Sequence, residues 1–213
     1  SKISGFEYFD PTLIFYNNDL IFFDKKGSII RFNNESKVSW KKNYYNKSEK
    51  KNLPILNFSI RDKTIIVTDS LSKYYAINVE TGEIIWSKNH NTIFISDIKF
   101  DENKFYIIDS NNILHCFLLV DGSKLWEFDS DFELIKSQKK LSIVLDEENV
   151  YFNNSKGDIY SVDKDNGNLI WLTPSRKPNE ISQTFLLKTS ELVTNEDNIY
   201  FSNNQNSFFS IDR

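Results

Sequence analysis

The stretch "AINVETGEIIW" (76–86) is echoed as "CFLLVDGSKLW" (116–126) and again as "SVDKDNGNLIW" (161–171). In each copy an apolar run meets a polar turn, a glycine follows, and a tryptophan closes the phrase four residues later. Recurrence at a near-constant interval marks a repeat architecture in which each copy is one supersecondary unit. The four tryptophans, Trp40, Trp86, Trp126 and Trp171, stand 46, 40 and 45 residues apart.

Aligning the chain on tryptophan brings the upstream sequence into register. Strand-like segments recur as "DLIFFD" (19–24), "TIIVTD" (64–69), "KFYIID" (104–109) and "NVYFNN" (149–154), with a fifth copy, "NIYFSN" (198–203). Each ends on an Asx residue: Asp24, Asp69, Asp109, Asn154 or Asn203. A short polar turn and a second strand follow ("SIIRF", "KYYAI", "ILHCF", "DIYSV", "SFFSI"), then the glycine turn and the tryptophan strand. Short runs of Ile, Val, Phe and Tyr joined by Asx, Gly and Ser read as antiparallel hairpins. A further apolar segment precedes each unit ("ILNFSI", "IFISDI", "LSIVL"), giving four strands per unit, and helical periodicity is absent. The fold class is all-β, and four-stranded antiparallel units at this period are blades of a β-propeller.

Other features bound the function. The 213 residues can bury roughly 70% of their unfolded surface. The 26 basic and 30 acidic residues leave a net charge of −4, which argues against a nucleic-acid-binding surface, since that would need a basic stripe. The basic run "NKSEKKN" (46–52) reads as a solvated loop. With Cys116 alone, no intrachain disulfide forms, and no apolar run reaches the roughly 18 residues of a transmembrane helix. The opening "SKISGF" has neither an initiator Met nor a signal peptide, so the chain reads as processed or trimmed and membrane association would come through a missing lipid anchor or a partner.

The tryptophan phrase resembles the pyrroloquinoline-quinone-like (PQQ-like) repeat, roughly hydrophobic-x-Ala-Leu-Asp-x-x-Thr-Gly-x-x-x-Trp. "YAINVETGEIIW" matches it almost throughout, "YSVDKDNGNLIW" keeps the Asp, Gly and Trp, "FLLVDGSKLW" keeps the Gly and Trp, and "RFNNESKVSW" keeps only the Trp with a turn one residue shorter. Gly82, Gly122 and Gly167 fall where the turn needs φ > 0, and each tryptophan is expected to pack between adjacent blades.

One domain (1–213) is expected, with blade units near 13–45, 55–91, 93–131, 141–175 and 184–213. "SGFEYF" (4–9) aligns with "TGEIIW", so residues 3–9 are a candidate outer strand for the last blade. The chain then either closes as five blades or is part of a larger propeller. Three residues between Phe9 and the next strand reach only ~10 Å, which favours the larger one.

Candidate chemistry is sparse. His115 and Cys116 are neighbours in a strand, point to opposite faces and cannot hold one metal together. The five Asx residues read as caps of their own turns, with a weak cation site the alternative. Sequons at Asn34, Asn46, Asn57 and Asn153 are expected by chance in so Asn- and Ser-rich a chain. No HExxH, CxxC, P-loop or nucleophile-elbow pattern occurs. The quinoprotein dehydrogenases that share the repeat use a vicinal disulfide, a Ca²⁺ ligand set and a catalytic Asp. One cysteine cannot supply the first, and no matching ligand set is found, so no catalytic, cofactor-binding or metal-binding residues are assigned and no cofactor is expected.

The resemblance is strongest to the non-enzymatic lipoprotein propeller subunit of the outer-membrane β-barrel assembly machine. It implies a periplasmic, outer-membrane-associated scaffold with protein partners, either the assembly machinery or client polypeptides, and no nucleic acid. The post-tryptophan loops "SWKKNYYNKSEKKNLP" (39–54) and "WLTPSRKPNEISQ" (171–183) are the candidate contact regions. The rivals are a quinoprotein-type or cofactor-binding propeller and a receptor or kinase sensor domain.

Overall fold

The structure, a computed structural model, describes residues 12–130, 140–174, 190–195, 197–202 and 207–213. Alternating apolar residues set strands against one another in consecutive antiparallel meanders. The first blade holds β1 (Ile14–Tyr16), β2 (Asp19–Phe23), β3 (Ile29–Phe32) and β4 (Val38–Lys42). A short helix, α1 (Lys47–Lys51), precedes the second blade, β5 (Leu56–Arg61), β6 (Thr64–Asp69), β7 (Lys73–Asn78) and β8 (Ile84–Asn89). The third is β9 (Lys99–Asp101), β10 (Lys104–Ile108), β11 (Ile113–Leu118) and β12 (Lys124–Asp129). The fourth is β13 (Ile143–Leu145), β14 (Asn149–Asn153), β15 (Ile159–Asp163) and β16 (Leu169–Thr173). A three-stranded sheet follows, β17 (Val193–Thr194), β18 (Asn198–Ser202) and β19 (Phe208–Asp212).

The chain forms two compact units, residues 1–89 with the first two blades and residues 90–213 with the rest. In the first unit Ile21, Phe23, Ile29 and Trp40 share a core with Leu56, Phe58, Ile65, Val67 and Tyr75. In the second, Tyr106, Ile108, Leu114 and Cys116 pack with Leu141, Ile143, Val150 and Phe152, and Tyr151 and Ile159 pack with Leu192, Ile199 and Phe201. At ~25 cal/mol per Å² of apolar surface, these clusters between successive sheets are the main stabilising contribution.

The tryptophan phrase builds the same local structure four times. Trp40 pairs with Arg31, Trp86 with Ala76, Trp126 with Cys116 and Trp171 with Ser161, and the register shifts after each pair. Ser39, Ile85, Leu125 and Ile170 are the extra residues of these bulges, which bend the outer strand at the tryptophan. The glycine turn is as expected from sequence. Gly82 (φ 68°) donates its N–H to Asn78 O at 2.8 Å, and Gly167 (φ 74°) donates to Asp163 O at 2.9 Å. In the first blade the shorter turn reaches the same left-handed region with Ser36 (φ 61°).

The tryptophan contact is more specific than the expected blade wedge. A Cβ on Gly82 would stand 2.9 Å from Cδ2 of Trp40, and one on Gly167 would stand 2.6 Å from Cε3 of Trp126. Each of these tryptophans therefore lies on the glycine turn of the next blade in its unit. Trp40 Nε1 also donates to Val79 O at 2.9 Å.

Two expectations are corrected. "NKSEKKN" contains helix α1, because Asn46 Oδ1 accepts from the N–H groups of Ser48 and Glu49 while Glu49 accepts from the Asn46 N–H, a complete capping box. "IFISDI" makes only isolated bridges, Phe94 to Asp109 and, in parallel, Ser96 to Leu141, and the regular strand begins at Lys99. Residues 3–9, Asn203 and the greater part of the 171–183 loop lie outside the described residues.

Candidate functional site

Hairpin register explains what the strand-end Asx residues do. Val67 pairs with Tyr75, Ile107 with His115 and Phe152 with Tyr160, so the Asx two positions further on lies diagonally across the same face. Asp109 and Asn154 thus meet a polar ring six residues later, His115 and Tyr160, and Asp69 reaches its counterpart Tyr75 through the Tyr45 hydroxyl.

One oxygen of each Asx caps its own turn. Oδ1 of Asp69 accepts from the N–H groups of Leu71 and Lys73, both at 2.8 Å, and Oδ1 of Asp109 from those of Asn111 (2.8 Å) and Ile113 (3.1 Å). Oδ1 of Asn154 does the same for Lys156 and Asp158, both at 3.0 Å, and Oδ1 of Asp24 for Lys26 and Ser28. The cap expected from sequence is present at all four described positions.

The second atom differs from blade to blade. Asp24 Oδ2 pairs with the half-exposed Lys41 at 2.9 Å. Asp69 Oδ2 accepts from the Tyr45 hydroxyl at 2.6 Å, and that hydroxyl lies 3.4 Å from Tyr75 Oη. Asn154 Nδ2 donates to Ser130 O, as does the Tyr160 hydroxyl at 2.9 Å. Asp109 Oδ2 accepts from Thr92 Oγ1 at 2.8 Å and faces Nε2 of His90 at 3.3 Å and Nε2 of His115 at 3.2 Å.

These surroundings move the carboxyls in opposite directions. Burial raises Asp69, and hydrogen bonds from Tyr45 and the backbone of Lys73 and Leu71 only partly offset it, so its pKa ends above the ordinary value. Burial also acts on Asp109, but His115, His90 and Thr92 outweigh it and hold that carboxyl well below the usual carboxylate range. Cys116, on the opposite face of β11 from His115, is core, and burial pushes its thiol up to about 11. The sequence foresaw the divergence of His115 and Cys116. It did not foresee that His90, from the segment after β8, joins His115 at Asp109.

The candidate contact loop of the first unit is held firmly from beneath. Asn43 Nδ2 donates to Lys26 O at 3.0 Å, Tyr45 reaches Asp69, and Glu49 on α1 pairs with Lys73 at 3.0 Å. Lys73 Nζ also lies 4.9 Å from the centroid of the Tyr45 ring. At the loop's crest Leu53 and Ile55 are 52% and 64% exposed. Leu53 occupies the left-handed position after the helix C-cap, with φ 47° and its N–H directed at Lys50 O, where glycine is the usual residue. Holding a leucine there costs ~1–2 kcal/mol, and Pro54 follows at once. An apolar side chain is therefore presented on strained backbone over a rigid base.

The second unit has an open cleft of about 1090 Å³ lined by Asp101, Glu102, Asp146, Glu148, Lys164 and Arg213, among others. Two of its carboxylates are paired, Asp101 with Lys164 at 3.2 Å and Asp146 with Arg213. Among the described residues no helix is long and apolar enough to cross a membrane.

Comparison with known proteins agrees with this architecture. The structure is similar to the crystal structure of BamB from Moraxella catarrhalis, with a TM-score of 0.77 at 13% identity over 94% of this chain. The chain spans 60% of that protein's length. Two computationally designed proteins are also similar: Ika4 (TM-score 0.58, 12% identity, 76% of this chain and 95% of that one) and Ika8 (0.57, 10%, 94% and 70%). At such identities the likeness shows the fold, a β-propeller architecture. No curated protein matches. The family model described as outer membrane protein assembly factor BamB matches residues 25–213. With bulged tryptophan strands, glycine turns and Asx-capped hairpins repeated along nearly the whole match, the chain belongs to the BamB family of PQQ-like repeat propellers.

Proposed function

We propose that this chain is a non-enzymatic protein-binding scaffold acting in the periplasm, at the outer membrane, in the assembly of β-barrel proteins. Membership of the BamB family supports the setting, because that family's description is assembly of outer-membrane proteins. The observation that carries the binding role is the loop after the first tryptophan strand. Capped helix α1, Tyr45 on Asp69 and Glu49 on Lys73 fix its base, while Leu53 and Ile55 face outward. Two aliphatic side chains on a preorganised loop lose little freedom on binding, so they suit an apolar contact on a partner protein. The partner of choice is the periplasmic portion of the core barrel insertase.

The test is direct binding of the purified chain to the purified periplasmic portion of its organism's barrel insertase. Leu53→Asp with Ile55→Asp is expected to weaken binding at least tenfold while leaving the urea midpoint within error. Unchanged affinity in the double variant overturns the loop's role. A thermal shift of several degrees on adding pyrroloquinoline quinone with Ca²⁺ overturns the non-enzymatic reading.

A further inference from the structure

In the second unit, His90, Asp109 and His115 bring one potential ligand atom each to within 4.8 Å of one another. We propose that these three side chains form a binding site for a divalent transition metal, with Zn²⁺ the best-fitting ion. The proposal does not depend on the partner-binding reading, which rests on a loop of the other unit.

The spacing is the first reason. Zinc sits ~2.0–2.1 Å from imidazole nitrogen and ~2.0–2.2 Å from carboxylate oxygen, so neighbouring ligands of a tetrahedral site stand ~3.3–3.4 Å apart. The Asp109 Oδ2 separations from Nε2 of His90 and of His115 are 3.3 and 3.2 Å. Charge-assisted N–H···O bonds close to ~2.7–2.9 Å, so both imidazoles stand at ligand spacing from the carboxylate rather than at its hydrogen-bonding optimum. Closing the widest separation toward ~3.4 Å asks for movement only of His90, the outermost member, whose side chain is 18% exposed.

Burial is the second reason. The side chains of Asp109 and His115 are 2% and 1% exposed, so the charge centre is nearly closed to solvent and His90 is the way in. Asp109 caps its turn through Oδ1, which leaves Oδ2 to face the imidazoles. A buried cation is stabilised best where anions balance it. Asp109 supplies a buried negative charge at the centre, and Glu127, half-exposed and shared with Lys124 at 2.7 Å, lies at its rim.

The surroundings are the third reason. His115 Nδ1 is buried without a hydrogen-bond partner among the described residues, and Glu127 Oε2 lies 3.4 Å away. A small rotation completes the carboxylate–histidine–metal arrangement that fixes the ligating tautomer with Nε2 toward the ion. Phe94 stacks on His90 (centroids 4.7 Å, 24°) and Phe117 on His115 (5.6 Å, 21°), which limits both rings to their present planes. A water supplies the fourth ligand, while Thr92 Oγ1 donates to Asp109 Oδ2 at 2.8 Å and holds that oxygen in place. The bound ion would clip residues 90–92 to the β10–β11 hairpin, a structural role.

The test uses the tag-free chain, stripped with EDTA and titrated with Co²⁺ and then Zn²⁺. One equivalent of Co²⁺ is expected to give visible absorption of four-coordinate intensity that Zn²⁺ abolishes, and Zn²⁺ to raise the Tm by several degrees. His90→Ala is the primary variant, since His90 belongs to no strand; it should lower Zn²⁺ affinity by more than ~100-fold, and Glu127→Gln by the ~10–100-fold of an outer-shell partner. His90→Gln serves as a second variant should His90→Ala fail to fold. No absorption at stoichiometric Co²⁺ overturns the site. So does a band that His90→Ala and His90→Gln leave unchanged.

Discussion

Trp126 closes on Gly167 so tightly that a Cβ there would stand 2.6 Å from its Cε3 atom, and Gly167 holds φ at 74°. The glycine thus meets two demands at once, a left-handed turn and a flat seat for the indole. Gly167→Ala is expected to destabilise by about 2–4 kcal/mol, the left-handed cost plus overpacking. In a Trp126→Leu background the same change should cost only ~1–2 kcal/mol, because the backbone penalty alone remains. Urea denaturation of the four proteins checks this, and equal costs in both backgrounds would refute the seat.

The Asx residues predict opposite outcomes for one substitution. Asp69→Asn should be neutral or stabilising at pH 7, since Asn154 already fills the equivalent position, capping through Oδ1 and reaching Tyr160 through Nδ2. Asp109→Asn should cost ~2 kcal/mol or more, because Oδ2 there accepts from Thr92 and faces two imidazole nitrogens in a buried setting.

Their pH dependence has opposite signs. The folded pKa of Asp69 is raised, so its ionisation erodes stability as pH climbs above ~3.9. The gain from Asp69→Asn should therefore appear above that pH and vanish below it. The folded pKa of Asp109 is lowered, so its contribution is present above ~3.9 and fades as pH falls below that value. The penalty of Asp109→Asn should shrink in acid, measured as the difference in urea midpoint from the parent.

Leu53 offers a trade between stability and binding. Leu53→Gly removes the left-handed strain after α1 and should raise stability by ~1 kcal/mol. The same change should weaken partner binding, since the exposed side chain is gone. A variant that is both less stable and equally competent in binding would contradict the loop's assignment.

Cys116 reports on global opening. With its thiol buried and its pKa pushed up to about 11, native protein should resist alkylation by iodoacetamide at pH 8. Modification should follow unfolding, with rates that rise with urea in step with the fraction unfolded.

The repeat was legible because its chemistry is local. Spacing from tryptophan to tryptophan placed the blades, and glycine four residues before tryptophan placed the turn, as Gly82 and Gly167 show. The Asx caps were legible for the same reason. The meeting of Asp109 with His115 was latent in hairpin register, since Asx and a polar ring recur six residues apart at Asp69 and Tyr75 and at Asn154 and Tyr160. His90 was not legible. It arrives from the segment after the tryptophan strand, where Tyr45, His90 and Ser130 each reach the next strand-end Asx but share no residue type, so only the packed unit shows the meeting with Asp109. Helix α1 escaped a search for periodicity because five residues have none, although Asn46 and Glu49 spell its capping box.

The division of labour within each strand-end Asx has a consequence for how such a chain can change. The cap is generic, so any blade could be copied or moved and still turn its own corner. The other atom is an address wherever its partner arrives from the segment ahead of the blade: Tyr45 comes to Asp69 and His90 to Asp109, while Asp24 takes Lys41 of its own blade. A transplanted blade would fold at its tip yet find the wrong neighbour waiting. Blade order is thereby written in a handful of atoms, and a duplicated copy stays foreign until that second atom is re-matched.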